Sequence, residues 1–144
     1  MSNDMQLRMI GHLERPEELR STTYRIMPST QEDAIYITIA DHEVEGKLRP
    51  FEMFLVTKEP TSFQWISALM RLLSSRLQEP GPFPSFLISE LIDNHDTLGG
   101  YFTTEKFLRA NNKPPRAHGI VSHVGLVFQH HCKGLGLLRT RRKS

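Results

Sequence analysis

The sequence predicts an α+β domain, with a small antiparallel sheet of about three strands covered by a long amphipathic helix and two to three further helices in the C-terminal half. Three observations carry this expectation. The segments Thr22–Met27, Ala34–Ala40 and Phe51–Thr57 are rich in strand formers and joined by short polar connections, which suit an antiparallel meander. The stretch from Pro60 to Gly81 keeps a helical spacing throughout, bracketed by start and stop signals. Beyond Pro80-Gly81-Pro82 the apolar residues recur at helical spacing in shorter pieces.

Taken in order, residues 1–14 read as a flexible arm, and Arg15-Pro16-Glu17-Glu18-Leu19 as a turn leading into the first strand. That strand ends at Pro28, before the polar turn Ser29–Asp33. The second alternates cleanly, with Ile35, Ile37 and Ile39 on one face and Tyr36 and Thr38 on the other, so one face meets the core. Asp41–Pro50 reads as a charged loop containing Gly46. Phe51–Thr57 is apolar on both faces and reads as a central strand.

The main helix is expected from Thr61 to Gln78, about 18 residues or roughly 27 Å. Thr61 and Gln64 have the spacing of a capping box, and Pro80-Gly81 stops the helix. At 100° per residue, Phe63, Trp65, Ile66, Leu69, Met70, Leu72, Leu73 and Leu77 fall on a predicted core half. Gln64, Ser67, Arg71, Ser74, Ser75 and Gln78 fall on the polar half. Arg76 projects from the apolar half, where its stem is buried and its guanidinium reaches solvent or an acid. Pro84 opens a short second helix running to Asp93, followed by the turn-rich Asn94–Gly100. Thr103 or Thr104 caps a further short helix through Lys106, Phe107 and Leu108, ended by Asn111–Pro115, which reads as loop. Gly119–Leu135 is the last helix, with Val121, Val124, Phe128, Cys132 and Leu135 on one face.

A chain of 144 residues suits one domain, 1–138, followed by a basic tail, 139–144. With 38% hydrophobic and 24% charged residues and no long apolar run, no membrane partner is expected. The start of the chain lacks an apolar signal core and Cys132 is the single thiol, so a cytoplasmic location is expected. The net charge of +2 is modest, and Arg139, Arg141, Arg142 and Lys143 concentrate positive charge at the end.

No phosphate loop or dinucleotide glycine fingerprint is present. His118, His123, His130, His131 and Cys132 resemble metal ligands in type, but His123 and His130 lie roughly 10 Å apart along a helix axis and neighbouring histidines point about 100° apart. No metal is expected, and these histidines read as helix surface beside an inert buried thiol. Asp93, His95 and Asp96, like Asp41-His42-Glu43, pair carboxylates with histidine in loops. Without a partner from elsewhere in the chain they read as turn residues, and no catalytic residue is assigned. The polar helix face, with Arg71, Ser67 and Gln78, together with Arg76 and the tail residues Arg139, Arg141 and Arg142, is the candidate surface for a partner or an anion, nucleic acid included.

The succession Arg15-Pro16, Thr22-Thr23-Tyr24, Ala34–Ile39, Pro50–Phe54, Lys58, Trp65, Ala68-Leu69, Arg71, Ser74, Glu90-Leu91 and Gly99-Gly100 resembles the TSCPD domain. That domain lies near the C-terminus of adenosylcobalamin-dependent, class II ribonucleotide reductases, or in a separate small chain of their split forms. The resemblance runs from about Arg15 to about Leu138, with His131, Leu135, Gly136 and Leu137 matching the closing helix. It implies an accessory or regulatory domain for deoxyribonucleotide synthesis, acting by protein contacts on a class II reductase catalytic chain. The thiyl-radical cysteines and adenosylcobalamin would belong to that separate chain, and this one binds no cofactor and is not expected to be catalytic alone. The family's frequent cysteine-rich tail is replaced here by Arg139–Ser144. A stand-alone nucleic-acid or anionic-ligand module is the alternative, and the edges of a three-strand sheet leave room for a homodimer.

Overall fold

Alternating isoleucines build the first layer. A computed structural model describes residues 13–28, 33–58, 60–95, 102–109 and 113–138, with the backbone alone at 60–62. Most of the expected arm, the Ser29–Gln31 turn, the Thr61 side chain, Asp96, Gly99-Gly100, Asn111-Asn112 and the basic tail lie outside the described residues. Strands β1 (Arg20–Ile26), β2 (Ile35–Val44) and β3 (Lys47–Thr57) form an antiparallel sheet in the order β1-β2-β3. The inner face carries Ile26, Ile35, Ile37, Ile39, Met53 and Leu55, all buried.

The Asp41–Pro50 segment is not a loop. His42, Glu43 and Val44 pair with Arg49, Leu48 and Lys47, so β2 and β3 run on to a two-residue turn at Glu45-Gly46. Both residues have positive φ, 53° and 82°, the hairpin conformation whose twist matches the strands. A glutamate in the first of these positions hid the turn, because asparagine or glycine is its usual signature. The ladder shifts register between Ala40 and Asp41, leaving Phe51 as an extra residue on β3. Both Asp41 and Phe51 are buried at this bulge.

Helix α1 (Pro60–Leu77) starts with proline at its first position and lies along β3. Its buried stripe is Ile66, Met70, Leu73 and Leu77. The wider apolar half expected from the spacing does not all reach the core: Trp65 is 47% exposed and Leu72 70%, with Phe63 also open. A single three-stranded sheet is too narrow to cover more than one stripe of a helix.

β3 is an edge strand rather than a central one, and α1 covers its free edge with polar side chains. Ser74 Oγ accepts from the Met53 N–H at 2.9 Å and donates to the Met53 carbonyl at 3.2 Å, while the Gln78 amide donates to the Phe51 carbonyl at 3.3 Å. These bonds satisfy backbone groups that an edge otherwise leaves to solvent or to another chain. Buried Arg49 closes the C-terminal end of α1. Its guanidinium donates to the carbonyls of Leu77 (3.1 Å) and Gly81 (2.7 Å), groups a helix C-terminus leaves unpaired, and lies 5.8 Å from the Phe83 ring centroid.

Helices α2 (Phe86–Ile92) and α3 (Ile120–Gly134) pack closely on one another. Gly125 makes this approach feasible, since a Cβ there would lie 2.8 Å from both the Ile92 nitrogen and the Leu91 Cβ. Between them, a second sheet pairs β4 (Phe102–Thr103) with β5 (Arg116–Ala117), and Lys106–Leu108 forms a 3-10 turn. The short helix expected there is only this single 3-10 turn, with Glu105 rather than Thr103 or Thr104 at its cap position, and the two short strands were not expected because they are too brief to carry a period.

Candidate functional site

Polar chemistry concentrates where α3 meets the β1–β2 end of the main sheet. Asp41 is the fourth residue in the inward series Ile35, Ile37, Ile39, and His131 lies one turn beyond Val127 and Phe128 on the core side of α3. His131 Nε2 lies 2.8 Å from Asp41 Oδ1 and 3.0 Å from Oδ2, and its Nδ1 lies 2.8 Å from the Tyr24 hydroxyl. In the tautomer with the proton on Nε2, His131 donates to the Asp41 carboxylate and accepts the Tyr24 O–H at Nδ1. The result is a closed carboxylate–imidazole–phenol chain joining β2, α3 and β1.

This corrects two expectations. His131 is 5% exposed rather than on the helix surface, and Asp41 is 7% exposed rather than in a loop. Continuing the isoleucine alternation by one step would have placed Asp41 in the core, but the 90-residue separation of the pair is invisible to local pattern. Tyr24 stacks on Phe107 and meets the edges of His130 and His131. Burial, and then the charge of Asp41, pushes the Tyr24 phenol above its ordinary range. Burial, again followed by Asp41, pushes the Cys132 thiol up as well, which keeps it protonated. Burial and the neighbouring His131 lower the pKa of His130. The chain can therefore position and hold a proton between three groups, but neither the phenol nor the thiol is activated as a nucleophile.

A second histidine pair lies at the other end of α3. His123 is fully buried, not on the surface, and its Nε2 is 2.6 Å from Glu105 Oε1, while Glu105 Oε2 accepts the Met27 N–H at 2.9 Å. Burial lowers the His123 pKa, partly opposed by Glu105, and Nδ1 has no hydrogen-bond partner among the described residues. With Nε2–H donating to the carboxylate, Nδ1 is an unprotonated acceptor facing the core. His95 and His118 stack with ring centroids 4.0 Å apart. Among the described residues no group of three or more His, Cys, Asp or Glu is arranged to hold a metal ion.

The residues expected to face a partner or anion separate into three sets. Arg71 is exposed and lines a shallow groove of about 260 Å³ with Glu52, Met53, Phe54, Ser74, Ser75 and Gln78. Gln78 is committed to the β3 edge, and Ser67 is half-buried. Arg76 is paired with Glu79 at 2.5 Å and lies 5.6 Å from the Phe86 centroid, as its place among apolar neighbours suggested. Arg139, Arg141 and Arg142 lie outside the described residues.

The sequence set Tyr36 and Thr38 on the face of the sheet away from the core but did not mark that face as a contact surface. Its upper end is crossed by the segment carrying Arg15, whose guanidinium pairs with Glu52. The remainder leaves Tyr36, Phe54 and Val56 exposed by 43%, 52% and 63%. Register sets Tyr36 between Arg25 and Val56, and Thr38 between Thr23 and Phe54, so these side chains form one continuous area. No helix of the described residues is long and apolar enough to cross a membrane. Comparison of the chain with protein-family models, with curated proteins and with solved structures finds no match.

Proposed function

We propose that this chain is an accessory or regulatory domain related to class II ribonucleotide reductases, working by contact with a separate catalytic chain that carries the adenosylcobalamin and the radical chemistry. The observation that carries this reading is the open outer face of the sheet, where Tyr36, Phe54 and Val56 present aligned apolar surface beside Arg25 and Thr38. Contiguous apolar exposure of this kind marks contact sites, whereas single exposed apolar residues do not. Two histidine–carboxylate pairs, in Asp41–His131–Tyr24 and Glu105–His123, instead tie elements of the fold together. The residues of the TSCPD resemblance also fall on coherent elements, with Thr22–Tyr24 in β1, Ile35–Ile39 in β2, Pro50–Phe54 in β3 and Trp65–Ser74 in α1.

The test is a binding measurement between the full chain and a class II reductase catalytic chain, with deoxynucleotide formation followed in parallel. Binding that weakens at least tenfold in Phe54→Ser and Val56→Ser supports the reading. Absence of binding, or equal binding by both variants, removes it.

A further inference from the structure

We propose that a second copy of this chain adds to the free edge of β1, antiparallel about a two-fold axis at Thr23, so that the two sheets become one. The hydrogen bonds of the sheet fix which groups that edge presents. Ser74 takes both the N–H and the C=O of Met53, so the Met53 backbone points away from β2. Bonding alternates along an antiparallel pair, so the bonded partners between β2 and β3 are Thr38 with Phe54 and Ala40 with Glu52. Ile37 and Ile39 then turn their backbone groups to β1, where they meet Tyr24 and Thr22. Ser21, Thr23 and Arg25 are left with N–H and C=O groups that point out of the sheet. The Met27 N–H continues the same series and goes to Glu105. Among the described residues no group bonds the outward backbone of Ser21, Thr23 or Arg25, and all three residues are exposed.

This edge is complementary to itself. With the axis at Thr23, an antiparallel copy sets Thr23 opposite its own equivalent, Ser21 opposite Arg25 and Arg25 opposite Ser21, and each opposed pair exchanges two N–H to C=O bonds. Every outward group between Ser21 and Arg25 is then satisfied in both copies, each contact recurring across the axis as an isologous interface requires. Other positions of the axis do worse. At Thr22 it leaves Arg25 opposite Leu19, which lies outside β1. At Tyr24 it sets Ser21 opposite Met27, whose N–H Glu105 already holds. At Arg25 it opposes like charges directly, which is destabilising.

The far side of the sheet limits the assembly to two copies. Ser74 and Gln78 occupy the β3 edge at Met53 and Phe51, so of the two edges expected to leave room for a homodimer only β1 remains, and joining β1 to β1 leaves no further edge to extend. β1 lacks the protection that β3 has. No proline or bulge interrupts Arg20–Ile26, and Thr22-Thr23-Tyr24 favours the extended conformation. The proposal does not rest on the reductase reading, which uses the outer face of the sheet.

Sedimentation velocity and residue-resolved hydrogen exchange test it on the full chain. Over roughly a hundredfold range of protein concentration the mass should rise from monomer to dimer. In step with it, exchange of the Ser21, Thr23 and Arg25 amides should slow at least tenfold, while those of Thr22 and Tyr24, bonded to β2 in either state, stay protected throughout. Because Thr23 opposes its own copy, Thr23→Lys and Thr23→Asp should each weaken self-association at least tenfold, and an equal mixture of the two variants should pair. A monomer at every concentration overturns the proposal, as does a dimer that leaves those three amides fast or one that Thr23→Lys does not weaken. Failure of the mixed variants to pair overturns the axis at Thr23.

Discussion

His131 Nε2 and Asp41 Oδ1 meet at 2.8 Å across 90 residues of sequence, both nearly sealed from solvent. Removing the acceptor leaves a buried imidazole N–H without a partner, which costs about 1–3 kcal/mol. Asp41→Ala should therefore lower the urea midpoint by that equivalent, and Asp41→Asn should lose less, because an amide oxygen still accepts. Tyr24→Phe removes one hydrogen bond and should cost about 1 kcal/mol.

The pH dependence of stability should be governed in part by His123. Burial holds its folded pKa below the ordinary 6.5, so the unfolded chain binds the proton first as the medium is acidified. Stability is full above that value and falls as the pH drops from 6.5 towards the folded pKa, by up to about 1.4 kcal/mol per pH unit for one group. Urea unfolding between neutral and mildly acid pH should show this slope, reduced in His123→Gln. A steeper slope in the variant would contradict the assignment.

Ser74 both donates to and accepts from the Met53 backbone. Ser74→Ala should cost about 1–2 kcal/mol and leave the β3 edge open to pairing. Light scattering at raised protein concentration should then report aggregation that the parent chain does not show.

Gly125 is fixed by the helix contact rather than by its own backbone. Gly125→Ala drives a methyl group to 2.8 Å from the Ile92 nitrogen and the Leu91 Cβ. It should cost about 1–3 kcal/mol by forcing α2 and α3 apart. Gly134→Ala, with nothing within 4 Å of the added carbon, should show no such loss in the same thermal unfolding experiment.

Arg71 makes no ion pair with any described residue and is exposed. Arg71→Glu should change stability by no more than about 0.5 kcal/mol in urea unfolding. A loss of several kcal/mol would make it a structural residue.

The strands and helices were legible because each repeats its pattern within a few residues. Ile35, Ile37 and Ile39 fixed the inner face of the sheet, the expected helix Thr61–Gln78 matches α1 to one residue at each end, and Val124, Phe128 and Cys132 marked the core side of α3. The candidate sites were less legible. Arg71 was correctly read as exposed, while Gln78 turned out to serve the sheet edge, and Tyr36 was set on the outer face without its grouping with Phe54 and Val56, because exposure depends on what covers a face.

The sequence by itself determined the α+β class, the order of the main elements and one buried stripe of α1, since local periodicity and turn chemistry suffice for these. Only the tertiary structure decided which apolar residues remain outside, as with Trp65 and Leu72, and which distant polar residues meet, as with Tyr24, Asp41 and His131. The physical reason is that burial and pairing belong to the packing of several elements against one another, and no single segment carries that information.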